Sequence, residues 1–328
     1  MTKNAVEAEP AAPPGYEVRR PTMDDIGAAA TLIRDVELHD WGFTEETEDD
    51  LAVSWRLADL EQNVWLVFDE QENAVGYGFL RSRAPGKLRS FVTVSPAHRG
   101  RGIGTNLVGL VEARARAMTE DVPVGTPVVV SQEAGLADPS GRLFLEAHGY
   151  GHARRFWKME TELDRDPPAP QWPDGIRLET LTPDLERAVY DAMEEAFQDH
   201  WDHVPHPYDE WRAWSIEREH HDPSLWLLAF AGDEIAGASL CDIREDGGWI
   251  NVLGVRRPWR RSGLGLGLLQ ASFGALRGKG QTRAALYVDA ESPTGATRLY
   301  ERAGMRVTQE SDAYEKVLRE AAVIETVA

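Results

Sequence analysis

The hydrophobic and polar positions of this chain follow one order of patterns, and that order occurs twice. Each copy begins with a short strand pattern and two helical patterns, followed by an apolar hairpin with a short polar turn. The next strand leads into a glycine-rich turn and an apolar-periodic helix, after which come a further strand, a short helix and a last strand. Apart from the strand before the glycine-rich turn, strands are predicted at 16–20, 64–69, 75–81 and 127–131 in the first copy and at 176–180, 225–231, 235–243 and 284–288 in the second. The last strand of each copy is predicted to end with residues 156–160 and 313–318, respectively.

Four landmark pairs keep nearly the same spacing between the copies. The pairs 161 positions apart are Arg99 with Arg260, Trp65 with Trp226 and Gly76 with Gly237, and Trp41 lies 160 positions before Trp201. A fixed offset over four landmarks indicates a duplicated domain of roughly 150 residues, which is an ordinary domain size.

The duplication predicts two domains joined by a linker, because residues 164–174 are proline-rich and polar. The first fourteen residues are rich in Ala, Pro and Glu without an apolar signal-peptide centre, which favours a disordered tail on a cytoplasmic protein. The predicted segments are a tail at 1–14, an N-terminal domain at 15–163, the linker at 164–175, a C-terminal domain at 176–319 and a tail at 320–328.

Composition and charge narrow the classes of partner. The formal net charge is −20 at pH 7, which argues against nucleic acid and anionic membranes and mildly favours a neutral or cationic small molecule. No apolar run is long enough to span a membrane. The single cysteine, Cys241, excludes an intrachain disulfide and gives no metal-thiolate cluster. Whether the protein acts as a monomer or a homodimer stays open.

The candidate chemistry begins at the glycine-rich turn after the apolar strand 250–255. Residues 260–265 read R-R-S-G-L-G, and a helical pattern starts at Leu264. The first N–H groups of a helix have no intrahelical partner and the helix dipole is positive there, so such a turn favours an anion such as pyrophosphate. A connection that needs glycine only for its shape is the alternative. The chain has no G-x-x-x-x-G-K-[ST] sequence, and the acidic residue that follows a dinucleotide-binding turn is not seen.

The pattern R-x-x-G-x-G after a strand, present at 99–104 and at 260–265, resembles the acetyl-coenzyme A loop of the Gcn5-related N-acetyltransferases, the GNAT family. The stretches GVRRPWRRSGLG (254–265) and VDAESPTGATRLYERAGM (288–305) resemble the tandem GNAT group that includes mycothiol synthase. The resemblance covers about residues 15–319. It implies an α/β (mixed α+β) fold of two tandem GNAT domains, each a mostly antiparallel mixed sheet with a splayed central strand pair and flanking helices, and it implies acetyl-CoA as the acyl donor.

The resemblance also implies which residues hold acetyl-CoA. Loop N–H groups would cradle the pyrophosphate, the preceding strand would pair with the pantetheine amides, and a backbone N–H at or next to Leu253 would polarise the thioester. Ser292 falls near the place of a family asparagine that bonds the cofactor. The expected set is Leu253, Gly254, Val255, Arg260, Arg261, Ser262, Gly263, Leu264, Gly265 and Ser292 in the second copy, and Val94, Arg99, Gly100, Arg101, Gly102, Ile103 and Gly104 in the first.

Tyr300 occupies the place of the tyrosine that protonates the departing thiolate in the family. Simple packing of its helix on the sheet is the alternative role. Aligning Gly149 with Gly304 puts Leu145 at the equivalent position of the first copy, and leucine cannot give a proton. We therefore expect catalysis in the C-terminal domain and a structural or regulatory N-terminal domain that keeps its glycine loop.

The base that accepts the proton of the amine is less clear from the sequence. The strand at 249–252 carries no carboxylate where several family members keep a glutamate, so Asp289, Glu291 and Asp199 remain as alternatives. The segment 197–214 is rich in aromatic, His and Asp residues and is expected to line the acceptor pocket for a small-molecule amine. The expected acceptor-binding residues are Asp199, His200, Trp201 and Asn251.

Two other classes of function are weighed against the acetyltransferase. Five histidines in 22 residues suggest a metal site, but prolines at 205 and 207 break any helix that would align them, and we expect no metal. The alternative without catalysis is an acyl-CoA sensor or an interaction protein, against which the tyrosine of the second copy argues. The histidines are His200, His203, His206, His220 and His221.

Overall fold

The computed structural model describes residues 10–136, 139–218 and 221–321, and the chain divides into two compact units. Unit 1 comprises the chain up to Ala153 together with the segment from Asp312 onward, and unit 2 comprises Arg154–Ser311. Each unit is a mixed α/β domain with a mostly antiparallel sheet, which confirms the predicted fold class. No helix in the described ranges is long and apolar enough to cross a lipid bilayer.

Unit 1 contains a sheet with strand order β1-β2-β3-β4-β5, next to which lie residues 312–319. Only the β4–β5 pair of these first five strands is parallel. The strands are β1 (Tyr16–Arg19), β2 (Val64–Asp69), β3 (Ala74–Ala84), β4 (Lys87–Val94) and β5 (Val128–Gly135), and the helices are α1 (Ile26–Asp40), α2 (Glu48–Arg56), α3 (Leu60–Asn63), α4 (Ile103–Met118) and α5 (Pro139–Ala147).

Unit 2 repeats this layout with strand order β7-β8-β9-β10-β11-β6, in which β10 and β11 are parallel. The strands wholly in unit 2 are β7 (Ile176–Thr180), β8 (Trp226–Ala231), β9 (Glu234–Arg244), β10 (Gly247–Val255) and β11 (Arg283–Asp289). Unit 2 also contains residues 154–162 of β6 (Gly151–Glu162) and residues 306–311 of β12 (Arg306–Arg319). The helices are α6 (Glu186–Phe197), α7 (Tyr208–Ser215), α8 (Leu264–Gly278) and α9 (Ala296–Arg302).

Side chains alternate along the buried strands because successive residues of a strand point to opposite faces of the sheet. In β8, Trp226, Leu228 and Phe230 pack with α6, whereas Leu227 and Ala229 pack with α8. The second strand of unit 1 divides its residues in the same way between α1 and α4. Each sheet is therefore covered on both faces, which explains why the hairpin strands are continuously apolar in the sequence.

The last strand of each predicted domain lies in the other unit. Residues 156–162 of β6 pair along the full length of β11 in unit 2, from Asp289 opposite Phe156 to Arg283 opposite Glu162. Residues 312–319 lie in unit 1, where the Lys316 Nζ atom donates hydrogen bonds to the Glu112 carboxylate (2.7 Å) and to a backbone carbonyl. The two units therefore differ from the two predicted domains in the assignment of residues 154–163 and 312–319.

The segments before β1 and β7 both pack on a helix. In unit 1 the Asn106 side chain of α4 donates hydrogen bonds to the carbonyls of Pro10 and Ala11 (3.1 and 2.9 Å). In unit 2 the Trp172 ring contacts Gly267 of α8, so the predicted linker is held against this helix. The prediction of a disordered tail at 1–14 therefore does not hold for residues 10 and 11, which are bound to α4. The rest of the predicted tails, residues 1–9 and 322–328, lies outside the described ranges.

Candidate active site

The glycine turn of unit 2 forms an open cradle at the start of α8. Arg261 (φ 64°) and Gly263 (φ 94°) both have left-handed backbone conformations, and Gly263 is the residue that caps the helix. A methyl group built on Gly263 would meet no atom of the described ranges within 4 Å. Alternating left-handed residues before a helix turn successive N–H groups toward one point, which forms an anion-binding concavity. This geometry fits the pyrophosphate of acetyl-CoA.

Unit 1 contains the same turn with glycine at both left-handed positions, Gly100 (φ 74°) and Gly102 (φ 86°). A methyl group built on Gly102 would lie 3.8 and 3.9 Å from two atoms of Pro13. The second copy differs in placing Arg261 where the first has Gly100. A left-handed conformation is rare for a residue with a side chain, yet both turns have left-handed residues at these two matching positions.

The first arginine of each turn, Arg99 or Arg260, binds groups of the protein rather than facing outward. The Arg260 guanidinium donates to the Val255 carbonyl (3.0 Å) and the Asp199 carboxylate (2.7 Å). Arg99 makes the matching bonds in unit 1, to the Val94 carbonyl and to a carboxylate at the end of α1. Both side chains therefore fasten the strand end to the preceding helix, instead of binding the cofactor as the family resemblance implies. Arg261 is exposed and has no side-chain partner among the described residues, so it is the arginine available to an anion.

The parallel strand pair separates at the turn in both units. In unit 1, pairing between β4 and β5 ends at Arg89 opposite Ser131. In unit 2, pairing between β10 and β11 ends at Trp249 opposite Ala285, so the edge of β10 from residue 250 onward is open toward β11. The splay that the family resemblance implies is therefore present in both copies, and it leaves room for a narrow chain such as pantetheine.

A β-bulge distinguishes the two splayed strands. The pairing of β10 with β9 shifts by one residue between Ile250 and Val252, which leaves Asn251 as the bulged residue. The pairing of β4 with β3 runs without a shift from Leu88 to Val94. A bulge bends the strand and changes the directions in which its groups point. The strand segment that contains Leu253 is thus re-aimed in unit 2 only.

The structure aligns Tyr300 with Leu145 independently of any sequence alignment. The Tyr300 carbonyl accepts a hydrogen bond from the N–H of Met305 (3.0 Å), and the Leu145 carbonyl accepts one from Tyr150 (3.0 Å). In each case the short helix ends at a glycine that precedes the N–H donor. Leucine therefore stands in unit 1 where unit 2 has tyrosine, as the sequence predicted.

Tyr300 is 7% exposed and packs in the cluster that includes Ile250 of β10 and Val288 of β11. Leu253 lies at the border of the same cluster. Burial raises the pKa of the Tyr300 hydroxyl to about 12, so the phenol keeps its proton at neutral pH. The hydroxyl has no hydrogen-bond partner among the described residues, which leaves its proton available to an incoming group.

Unit 1 contains a cavity of about 480 Å³ between α1, the splayed strands and α5. Six of the seven residues predicted to bind the cofactor in this copy line it, namely Val94, Arg99, Gly100, Gly102, Ile103 and Gly104. Arg101 instead donates to the Tyr16 hydroxyl (3.2 Å) and the Ala97 carbonyl (3.1 Å). Leu145 forms part of the wall, so the cavity contains no tyrosine hydroxyl at this position.

The cavity of unit 1 also contains polar groups that sequence reasoning missed. Gln132 of β5 is 5% exposed, and its Nε2 atom has no hydrogen-bond partner within the described part of the chain. Glu37 of α1 is 9% exposed and accepts hydrogen bonds from the N–H groups of Glu45 (2.8 Å) and Glu46 (3.3 Å). The only signal for either residue was a polar letter at an inward-facing position of an otherwise apolar pattern.

The predicted acceptor residues of unit 2 lie after α6 and on β10. Asp199 is held by Arg257 and Arg260, which keep the pKa of its carboxyl well below the usual range. The Trp201 ring packs against Phe156 of β6 (6.0 Å between ring centroids). The His200 ring packs on the ring of Phe197 at 4.2 Å. Asp199 is thus a structural ion-pair partner, and His200 and Trp201 remain as candidate contacts.

Asn251 and Ser292 have hydrogen bonds within the chain. The Asn251 amide donates to Asp242 (3.0 Å) and accepts from Arg244 (2.8 Å). The Ser292 hydroxyl lies 2.9 Å from that of Thr294, in the loop between β11 and α9. Asn251 is exposed on the bulge, so its position beside the open strand edge still suits an acceptor contact.

The histidines of unit 2 are dispersed rather than gathered round one point. The His203 Nε2 atom lies 3.4 Å from the Glu194 carboxylate, and the His221 ring packs against Trp226. Among the described residues no group of three or more His, Cys, Asp or Glu side chains is arranged to hold a metal ion. His220, part of the weighed metal site, lies outside the described ranges.

Comparisons with known proteins agree with this geometry. The chain matches the acetyltransferase (GNAT) family over residues 30–124 and 186–305. It is 31% identical to a mycothiol acetyltransferase from Thermobispora bispora over 258 residues, which are 73% of this chain and 78% of the relative. A GCN5-related N-acetyltransferase from Sphaerobacter thermophilus superposes with a TM-score of 0.79 at 36% identity, covering 95% of this chain and 98% of the other.

A tandem GNAT protein from the clavulanic acid biosynthesis pathway shares the fold, with a TM-score of 0.70 at 18% identity over 92% of this chain and 98% of the other. GNAT enzymes use acetyl-CoA as acyl donor, and the loops and splayed strands described above fit that molecule. The chain is therefore an acyltransferase, and it belongs to the GNAT acetyltransferase family as a tandem member.

Proposed function

We propose that this protein transfers an acetyl group from acetyl-CoA directly to the amine of a small molecule, and that unit 2 performs the transfer. The observation that carries the assignment is Tyr300, a buried phenol whose proton is retained at neutral pH, where unit 1 has Leu145. Unit 2 also has the bulge in β10 at Asn251, which the matching strand of unit 1 lacks.

In this proposal the chain holds the donor by its backbone. The N–H groups of Arg261 to Gly265 surround the pyrophosphate, and Arg261 adds the positive charge of an exposed side chain. The open edge of β10 pairs with the pantetheine amides, because the pairing of β10 with β11 ends at Trp249. A backbone N–H at or next to Leu253 donates to the thioester oxygen, where negative charge develops during attack.

Tyr300 supplies the proton that the departing thiolate needs. An alkyl thiol titrates near 8.5, so an unassisted thiolate is a poor leaving group compared with a protonated one. A phenol whose pKa is near 12 does not lose its proton to solvent before the reaction and gives it up as charge builds on the sulfur. The matching helix of unit 1, α5, has Leu145 at the equivalent position, and leucine has no proton to donate.

Unit 1 acts as a second binding site for acetyl-CoA or CoA in this proposal. Its cavity of about 480 Å³ includes the glycine turn and the splayed strand ends, and Leu145 stands where the proton donor would be. These features favour a regulatory site that binds without turnover. The non-catalytic acyl-CoA sensor that the sequence leaves open is therefore a function of unit 1 beside the catalysis of unit 2.

A small-molecule amine is the acceptor that the chain suits best. The relatives from Thermobispora bispora and other bacteria bear the name mycothiol acetyltransferase, which ties them to a small molecule. The strongly acidic balance of this chain disfavours nucleic acid and anionic membranes. His200, Trp201 and Asn251 border the side of unit 2 on which the acceptor would enter, and a cytoplasmic location stays a prediction.

A screen of amines with detection of free thiol tests the proposal. Purified protein and acetyl-CoA are mixed with amino sugars, amino acids and alkyl diamines, and products are identified by a mass increase of one acetyl group. We expect thiol release that requires one class of amine and that falls sharply in Tyr300→Phe. Amine-dependent release that is unchanged in Tyr300→Phe would overturn the assignment to unit 2.

A further inference from the structure

The acetyl transfer proposed for unit 2 requires a group that accepts the proton of the attacking amine, and the carboxylates near the thioester are already bound. Asp289 accepts two hydrogen bonds from the Arg154 guanidinium (2.9 and 2.8 Å), and Glu291 accepts a third (2.9 Å). Asp199 is held between Arg257 and Arg260. The two guanidinium groups hold the pKa of the Asp199 carboxyl well below its usual range, and the carboxylate oxygens of Asp289 and Glu291 are engaged by Arg154. The three candidates that the sequence offered are thus occupied.

His200 is different, because its ring has no hydrogen-bond partner among the described residues. Its position is nevertheless fixed. The ring packs on Phe197 with centroids 4.2 Å apart, and its backbone N–H donates to the Phe197 carbonyl (2.9 Å). The edge of the Phe197 ring in turn lies 3.0 Å from where a methyl group on Gly254 would be. Gly254 follows Leu253 on the open strand, so His200 stands one aromatic ring away from the expected thioester site.

The charges that act on His200 come from three different elements. Burial is the main influence and lowers the pKa of the imidazole. The carboxylate of Asp289 at the end of β11 opposes that shift, as does Asp199, whereas His203 and Arg260 reinforce it. The ring is therefore neutral at physiological pH, and a proton that it accepts during the reaction is stabilised by the nearby carboxylates.

We propose that His200 is the general base of the transfer, an inference that rests on catalysis by unit 2. The amine nitrogen forms a bond to the thioester carbon while its N–H proton passes to a ring nitrogen of His200, directly or through one water. The carbon–sulfur bond breaks, the electron pair stays on sulfur, and the sulfur takes the Tyr300 proton. The imidazolium then gives its proton to the phenolate through solvent, which restores both side chains and leaves the amide and the thiol as products.

The pH dependence of kcat/KM with an alkyl amine tests the inference. The pKa of an alkyl amine is about 10, whereas the pKa of His200 lies below its usual value of 6.5. Each group must be unprotonated for the reaction, so the profile should fall toward low pH in two well-separated limbs. We expect the wild-type enzyme to show both limbs. His200→Gln should lower the rate by about 10²- to 10⁴-fold, remove the lower limb, and leave the KM for acetyl-CoA within about threefold of the wild type.

His203→Gln is the matched control, because His203 lies in the same loop but pairs with Glu194. We expect it to keep the lower limb. His200→Ala with added imidazole gives a second readout, since a packing role would not be restored by a free base. The inference about His200 alone is overturned by three results together. Tyr300→Phe loses turnover, the pH profile of His200→Gln keeps its lower limb, and imidazole does not restore His200→Ala. Turnover that survives Tyr300→Phe overturns the proposed function on which it rests.

Discussion

Removing one oxygen atom at Tyr300 separates the chemical role of this residue from its packing. Tyr300→Phe keeps the ring within the cluster that includes Ile250 and Val288, and the ring accounts for nearly all of the buried side chain. The hydroxyl has no hydrogen-bond partner among the described residues, so the substitution leaves no donor or acceptor unpaired. We expect the free energy of unfolding to change by less than about 1 kcal/mol.

The catalytic effect should be much larger. Loss of a positioned acid costs about 10²- to 10⁴-fold in rate, which corresponds to roughly 3–5 kcal/mol in the barrier. Because the proton is shared with sulfur only as the thiolate departs, the loss should appear in kcat with little change in the KM for acetyl-CoA. The pKa near 12 implies that the wild-type phenol remains protonated through the neutral range, so the ratio of the two rates should not vary between about pH 6 and pH 9.

Single-turnover measurement of thiol release with saturating amine is the appropriate assay, because it isolates chemistry from product release. Circular dichroism and thermal unfolding of the same samples check that the fold is intact. A Tyr300→Phe variant that turns over at the wild-type rate in this assay would show that Tyr300 only packs α9 on the sheet. Another group, or water, would then protonate the sulfur.

Two further substitutions test neighbouring parts of the account. Leu145→Ala in unit 1 should destabilise the protein by about 2–5 kcal/mol, because Leu145 is 3% exposed. It should leave the single-turnover rate unchanged. A fall in that rate at a temperature where the variant is folded would contradict the division of roles between the units. Arg261→Gly should relieve a left-handed backbone and raise stability by about 1 kcal/mol, while weakening acetyl-CoA binding at low salt more than at high salt, as calorimetry at two ionic strengths would show. Equal affinity at both salts would mean that the Arg261 side chain does not reach the phosphates.

Local patterns in the sequence predicted the repeated architecture because they depend on near neighbours. The hairpin strands are buried on both faces and therefore read as unbroken apolar runs. The Thr22–Asp25 pair forms a capping box before a short turn of helix that leads into α1, and a capping box is a local sequence signature of a helix start. The glycine turns were identifiable because a helix that begins at a left-handed residue favours glycine there.

Features that depend on distant partners were not predictable from such patterns. Each predicted domain ends in a strand that belongs to the other unit, and this depends on the sheet edge with which the strand pairs. The apolar character of Phe156 and Tyr314 does not tell from the sequence which unit contains them. The ion pairs of Arg99 and Arg260 depend on acidic residues about sixty positions away, although both copies offer an acid before the matching tryptophan, which is a usable signal. His200 could not be singled out from the sequence as the base, because the arginines that bind Asp199, Asp289 and Glu291 lie far from these acids along the chain.

The claim that chemistry belongs to unit 2 is tested most directly by a matched pair of substitutions in the two glycine turns. Gly263→Asp and Gly102→Asp place the same charge at the same left-handed position of equivalent helix starts. Among the residues that the structure describes, neither new Cβ atom meets an atom closer than 3.8 Å. The backbone strain is therefore similar, and the carboxylate repels pyrophosphate in both cases.

The measurement is thiol release with the responsive amine, together with calorimetric counting of acetyl-CoA sites in each folded variant. We expect Gly263→Asp to abolish turnover and leave the site of unit 1 occupied by acetyl-CoA, and Gly102→Asp to retain turnover and lose the other site. Turnover that is abolished by Gly102→Asp and retained by Gly263→Asp would place the chemistry in unit 1 and contradict the account.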